Sequence, residues 1–488
     1  MKRHFVTMVA VAAFCPALLT VAGAAAAGTG AAGGARAASS GTWGTAEEVP
    51  GTAALNKGGE AGINEVSCGA AGSCSVGGWY ADRSDAEQAF VAGEANGTWG
   101  TAREVPGTAA LNVGGGAQVY SVSCASAGNC SAAGQYTDRS DGSQAFVAGE
   151  ANGTWRTARE VPGTAALNKG GSAAIYSLSC ASAGDCSAGG WYAESSGARQ
   201  ALVVTETNGR WGPAEEVPGT AALNKHGDAM VNRVSCASAG DCSAGGYYAQ
   251  TSEGARSQAF VVTETNGTWG TAEEVPGTAA LNKGGEAQVY SVSCASAGDC
   301  SAGGQYTDGS GRYQAFVAGE TNGTWGTAEE VPGTSALNTH GDAQISSVSC
   351  ASAGNCSAVG SYLDASGSEV FVAGETNGTW GTAEEVPGTA ALNKDGFAAF
   401  TEVSCAAAGD CSAGGYYADS SGQTQLFVAG ETNGAWEKAE EVPGTAALGG
   451  NPLEPGLAVS CASAGNCSAG GQYEDHSSHY QAFVVSEK

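Results

Sequence analysis

The stretch QVYSVSCASAGNCSAAGQYTDRSDGSQAFVAGEANGTWRTAREVPG, Gln118–Gly163, decides the fold. It holds four short runs of β character: Gln118–Cys124, Cys130–Tyr136, Gln144–Glu150 and Thr154–Val161. Turn chemistry separates them. Ala125–Asn129 joins the first two runs and Asp138–Gly142 the next two; Asn152-Gly153, a strong hairpin signal, precedes the fourth. Pro162-Gly163 stops the last run, as suits an exposed edge strand. No apolar helical period persists, and Thr164–Leu167 has room for one helical turn at most.

The same unit recurs along the chain. Tryptophan returns at 43, 99, 155, 211, 269, 325, 380 and 436, in steps of 56, 56, 56, 58, 56, 55 and 56 residues. Four antiparallel strands per ~56 residues is the size of a propeller blade. The chain ends sharpen this reading. Thr42–Val49 is a fourth-strand segment with no third strand before it, and Gln481–Glu487 is a third-strand segment with no fourth after it. In an open β-solenoid, the alternative architecture, both would present bare edges. In a ring the first completes the last. The fold expected for 41–488 is therefore all-β, an eight-bladed β-propeller of four-stranded antiparallel blades closed by the N-terminal strand.

Composition narrows the function classes. The chain has 488 residues, with 78 glycines in no Gly-X-Y period, and charged residues at 14% are too few for a charge-extended disordered chain. A net charge of −28 opposes nucleic acid and anionic lipid as partners. Met1–His4 is a basic start, Phe5–Val21 an apolar run, and Ala22-Gly23-Ala24 a small-residue cleavage pattern. Residues 1–26 thus read as an export signal and 27–40 as a flexible leader. The expected product is a secreted, extracellular monomer without membrane insertion.

Sixteen of the 17 cysteines keep step with the tryptophans: Cys68/Cys74, Cys124/Cys130, Cys180/Cys186, Cys236/Cys242, Cys294/Cys300, Cys350/Cys356, Cys405/Cys411 and Cys461/Cys467. The seventeenth, Cys15, lies in the signal. C-x5-C at the tip of a hairpin sets two thiols on adjacent strands, so eight intrablade disulfides are expected. Zinc wants four ligands, and no histidine accompanies these pairs. No metal and no cofactor are expected.

The string SVSCASAG…CSAGGQYTD…QAFVAGETNGTW resembles the Asp-box and photosystem-assembly-factor-like propeller repeats, in the cysteine-paired form of secreted actinobacterial proteins. The resemblance covers all eight units and implies a propeller. It departs from the pattern at the Asp-box aspartate, which is absent here.

Recurring side chains read as framework: the tryptophans, the series Phe90, Phe146, Phe260, Phe316, Phe371, Phe427 and Phe483, and Tyr80 with its seven equivalents. The glutamates before Asn-Gly (Glu94, Glu150, Glu206, Glu264, Glu320, Glu375, Glu431, Glu487) read as solubilising edge charges. So do those of Glu-Val-Pro-Gly, such as Glu48 and Glu104. An identical carboxylate in every blade is unlike the unique pair of a glycosidase. Variation concentrates in the second-to-third loops and the blade linkers, which share one face. Binding residues tend to lie on loops carried by a rigid scaffold. The candidate ligand-binding set is Trp79, Gln135, Trp191, Tyr247, Gln305, Tyr416 and Gln472, with loop arginines Arg83 and Arg139. The expected function is non-enzymatic recognition of a glycan, cell-wall component or protein. The alternative is a propeller glycoside hydrolase or polysaccharide lyase, sialidase-like in its use of arginines.

Overall fold

The computed structural model describes residues 41–250, 256–451 and 456–488. The export signal and leader assigned to 1–40 lie outside the described residues. The rest forms eight antiparallel sheets, each a blade. In blade 2 the inner strand is Gln118–Ser126, the second Asn129–Thr137 and the third Ser143–Ala151. Glu47–Glu48 pairs with the third strand of blade 8 in the register Glu47↔Val484, Glu48↔Phe483, and Trp43 bridges Glu487. The chain therefore closes into an eight-bladed propeller whose last blade is completed by its first strand.

The outer strand differs from the single run expected. In blade 2 it is two pieces, Thr154–Trp155 against the Ala151 end of the third strand and Arg159–Glu160 against Phe146–Val147. Between them the chain bends toward the neighbouring blade, where the Ala158 N–H donates to the Pro106 carbonyl at 2.7 Å. The same Ala-to-Pro bond recurs around the ring. A single helical turn follows in every linker, as at Thr108–Leu111.

The core lies between blades, in eight equivalent clusters. One joins Ala482 and Val484 of blade 8 to Ile63, Val66, Tyr80, Phe90 and Trp99 of blade 1. Small residues make this packing close. A Cβ at Gly78 would lie 2.0 Å from the Gly62 carbonyl, because a bulge in the inner strand pushes backbone against backbone there.

Polar bonds also run around the ring. The N–H of each first cysteine donates to the Ser Oγ of the preceding blade, from Cys124 to Ser67 on through Cys68 to Ser460, all at 2.9–3.0 Å. The glutamates before Asn-Gly correct the reading of them as edge charges. Glu94, Glu206, Glu264 and Glu320 are 6%, 6%, 1% and 3% exposed. They sit between blades: Glu264 accepts Ser187 Oγ at 2.7 Å and Thr205 Oγ1 at 2.6 Å from blade 3. Two positions from Glu94 are Ala92 and then Phe90, so strand alternation turns all three to the same buried side. The Glu-Val-Pro-Gly carboxylates are likewise partnered: Glu216 accepts Tyr192 Oη at 3.1 Å.

All eight expected disulfides are formed: Cys68–Cys74, Cys124–Cys130, Cys180–Cys186, Cys236–Cys242, Cys294–Cys300, Cys350–Cys356, Cys405–Cys411 and Cys461–Cys467. Each bridge lies at the tip of its hairpin as expected, Cys68↔Cys74 being followed only by Ala70↔Ser73 before the turn, but it is not exposed there. The second cysteine of each pair (Cys74, Cys130, Cys186, Cys242, Cys300, Cys356, Cys411, Cys467) is buried, and only the first is half-buried. The second strand is covered on both sides, so alternation turns Cys74, Cys242 and Cys300 into the clusters between blades. There Cys74 Sγ lies 3.4 Å from Ser468 Oγ of blade 8, and Cys300 Sγ lies 3.4 Å from Ser243 Oγ of blade 4. The bridges are thus core members that staple each hairpin from within. Such a set belongs to an oxidising, extracellular-type compartment. Among the described residues no helix is long and apolar enough to cross a membrane.

Candidate functional site

Inner strands of neighbouring blades pack side by side around a central channel. Its waist is a cavity of 180 Å³ lined from all eight blades by valine or leucine and by serines such as Ser67 and Ser460. Three residues before the first cysteine, four blades carry a buried serine, Ser121, Ser177, Ser291 and Ser347; Ser177 Oγ, for example, accepts the Val234 N–H of the next blade at 2.9 Å. Three others carry charge. Arg233 of blade 4 spans the lumen to Glu65 of blade 1 at 3.3 Å and Glu402 of blade 7 at 3.0 Å. Blade 8, opposite blade 4, offers only Ala458 there, which leaves room for the guanidinium to settle between the two glutamates. Burial, then the nearby Glu402 carboxylate, pushes the Glu65 carboxyl well above its ordinary range against the pull of Arg233.

The bulges in the inner strands project one extra residue just above this waist, toward the variable face. In blades 2, 3 and 5 it is Tyr120, Tyr176 or Tyr290; in blades 1 and 4 it is Asn64 or Asn232. Tyr120 and Tyr176 lie ring to ring with centroids 5.0 Å apart.

The candidate residues of the second strands ring this mouth in one common register. Trp79 pairs with Gly62, Gln135 with Gln118, Trp191 with Ala174, Tyr247 with Met230, Gln305 with Gln288 and Tyr416 with Ala399. Trp79, Gln135, Trp191, Tyr247 and Tyr416 are half-buried, whereas Gln305 and Gln472 are buried at 9% and 5% exposure. Arg83 and Arg139 stand exposed at the loop tips of blades 1 and 2, outside the hydrogen-bonded cluster of the mouth.

That cluster lies on blades 3–5. Arg199 stacks over the Trp191 ring at 5.5 Å and pairs with Asp228 at 2.8 Å. Asp228 also accepts Tyr247 Oη at 3.4 Å. Burial, followed by the Asp228 charge, raises the Tyr247 phenol to about 12. Tyr313 donates to Glu286 beside Tyr290. The result is an arc of half-buried aromatic faces and one oriented ion pair, an inventory suited to sugar or peptide surfaces. Tyr120, Tyr176 and Tyr290 escaped the sequence reading, though variation four residues before each first cysteine was a visible signal. The Glu65–Arg233–Glu402 waist was signalled by charge in a position that otherwise carries serine or alanine.

The aspartates of the second-to-third loops cap their own turns. Asp138 accepts the Ser140 N–H and hydroxyl, and Gln144 Nε2. The cysteine and glutamate groupings at Cys350/Cys356/Glu375 and Cys405/Cys411/Glu431 have their sulfurs committed to disulfides.

No family model and no curated protein matches the chain. Among solved structures it is similar to the β-propeller domain of the Trilobed protease from Pyrococcus furiosus, with TM-score 0.41 and 7% identity over 78% of this chain and 98% of that one. It is similar to a PL25 ulvan lyase at TM-score 0.42 and 8% identity, covering 74% of this chain and 90% of that one. The six-bladed Aleuria aurantia lectin gives TM-score 0.32 and 10% identity, covering 65% and 92% respectively.

Proposed function

We propose that this is a secreted, non-enzymatic recognition propeller that binds a glycan or cell-wall component at the mouth of its variable face. The supporting observation is the arc of Tyr120, Tyr176, Trp191 and Tyr247 with the oriented Arg199–Asp228 pair. Aromatic faces stack on sugar rings, and a fixed ion pair supplies both donors and acceptors to hydroxyls. The channel carboxylates favour binding over hydrolysis, since Glu65 and Glu402 are both engaged by Arg233, at 3.3 and 3.0 Å. The acidic chain makes nucleic acid a poor partner.

The test is a pull-down on insoluble cell-wall glycans and a soluble polysaccharide panel, followed by titration of whatever binds. Trp191→Ala removes a central aromatic anchor, for which a loss of about 30-fold in affinity corresponds to ~2 kcal/mol. Unchanged affinity in this variant and in Tyr176→Ala would exclude the mouth. Turnover of a chromogenic glycoside abolished by a loop substitution would favour the enzyme instead.

A further inference from the structure

On the opposite face, which carries the disulfide hairpins and Asn-Gly turns, the blade interfaces fall into two kinds. In the first, a hydroxyl on the third strand ties the next blade down. Thr263 of blade 4 donates to Glu320 Oε1 at 2.7 Å and accepts Trp325 Nε1–H at 3.3 Å, both from blade 5. Thr205 serves Glu264 and Trp269 in the same way, at 2.6 and 3.2 Å. Ser486 serves Glu94 and Trp99 at 3.0 and 3.2 Å. One hydroxyl thus answers a buried carboxylate and a buried indole N–H together.

In the second kind that hydroxyl is missing. Blades 1, 2, 5, 6 and 7 carry Gly93, Gly149, Gly319, Gly374 and Gly430 at the same position. None needs to be glycine for backbone reasons, since a Cβ at Gly319 or Gly374 meets nothing within 4 Å and one at Gly149 only Ser131 Oγ at 4.0 Å. The groups that the hydroxyl would answer are still there. Trp380 Nε1, which faces Gly319, has no partner among the described residues, and Trp380 is 7% exposed. Glu206 Oε2, which faces Gly149, has none either, and Glu206 is 6% exposed. A buried polar group left in this state costs about 1–3 kcal/mol.

Clefts open at four of these five glycines. The one between blades 5 and 6 has a volume of 480 Å³ and is lined by Gly319, Glu375 and Trp380. The one between blades 2 and 3 has 290 Å³ and is lined by Gly149, Glu206 and Arg210. Between blades 6 and 7 Gly374 and Glu431 line 280 Å³. The cleft at Gly430 and Glu487 is only 20 Å³, enough for one water. The three larger ones are near the lower end of small-molecule sites, about 300 Å³ and up.

We propose that the clefts of blades 2–3, 5–6 and 6–7 are saccharide subsites, in which a hydroxyl of a neutral pyranose takes the position that Thr263 Oγ1 holds between blades 4 and 5. In the cleft of blades 5–6 that hydroxyl accepts from Trp380 Nε1–H and donates to the Glu375 oxygen not taken by Ser301. The set is separate from the mouth on the variable face and does not depend on it. Three like sites on one face would grip a polysaccharide multivalently.

The test follows tryptophan indole N–H resonances of the full chain during titration with methyl β-D-glucopyranoside, methyl α-D-mannopyranoside and methyl β-D-galactopyranoside. At least one glycoside is expected to shift Trp380 and its blade 3 equivalent Trp211, which pairs with Glu206 as Trp380 pairs with Glu375, while Trp99, Trp269 and Trp325, already bonded to a hydroxyl, stay still. Gly319→Thr installs the hydroxyl that blade 4 already has; it should extinguish the Trp380 response and leave that of Trp211 intact. Gly149→Thr should do the reverse. Absence of any shift at Trp380 up to the solubility limit of all three glycosides would overturn the proposal, leaving clefts that hold only water. Equal shifts at Trp269 and Trp325 would overturn it too. Trp191→Ala, which tests the mouth, should leave these cleft responses unchanged.

Discussion

Arg233 on blade 4 and Glu402 on blade 7 meet across the propeller axis, Nη2 to Oε1, at 3.0 Å. With Glu65 at 3.3 Å they fasten three blades that share no sheet edge. Arg233→Met should leave two carboxylates confronting each other in the waist. Losing one partner of a buried pair costs ~3–5 kcal/mol; with the Arg233 side chain 35% exposed, a loss nearer 1–3 kcal/mol is expected. Adding Glu65→Gln and Glu402→Gln should restore most of it. Chemical denaturation of the single and triple variants, each compared with the parent, checks this.

Trp43 is the second case. It is 8% exposed and packs with Val459 and Phe483 in the cluster that seals blade 8. Trp43→Ala should cost about 3–5 kcal/mol as a core truncation. Because it loosens the one blade built from both ends of the fold, limited proteolysis of the variant should cut first near 41–49. Unaltered protease resistance would argue against a seam there.

The disulfides should act blade by blade. Each closes a loop with sequence separation 6, for which the chain-entropy picture gives about 2 kcal/mol. Cys124→Ser with Cys130→Ser should lower the unfolding free energy by at least that amount, since Cys130 is also buried, and leave the far-ultraviolet spectrum unchanged. The same paired change in two non-adjacent blades should add.

Acid should stabilise this protein before it harms it. Burial raises the carboxyls of Glu94, Glu150, Glu206, Glu264, Glu320, Glu375, Glu431 and Glu487 above their ordinary value. Their contribution is full below the unfolded value of about 4.5 and is lost as pH climbs through the folded values. The Ser84 and Ser140 hydroxyls hold Asp82 and Asp138 below theirs, so those contributions are lost only as pH falls under 3.8. The melting temperature should therefore rise from pH 8 toward about 5 and drop below about 3.5. A monotonic fall on acidification would contradict this.

The architecture was legible because its signals repeat. Period, hairpin turns and the two unpaired end segments fixed blade number and closure, and C-x5-C fixed the disulfide pairing. What stayed hidden was relational. Glu94 looks like a surface charge until Phe90 and Ala92 show that it shares their buried side. Cys74 lies at its hairpin tip as the spacing implies, but that Ser468 of the neighbouring blade covers it there is a relation between blades. Arg233 sits in a different unit from each of its partners, and only ring geometry makes blade 4 face blades 7 and 1. The outer strand's break at Arg156–Ala158 depends on a carbonyl of the neighbouring linker, Pro106, that no local pattern announces.

The backbone bond from Thr42 N–H to the Lys488 carbonyl, 2.9 Å, puts the two ends of the wheel within one peptide's reach of each other. Where the polypeptide is interrupted is thus nearly arbitrary. A version with a short tether from Lys488 to Gly41 and new ends cut in the Asp138–Gly142 loop should assemble the same wheel. It would carry its seam in blade 2, so the site of first fraying could be moved at will around the rim.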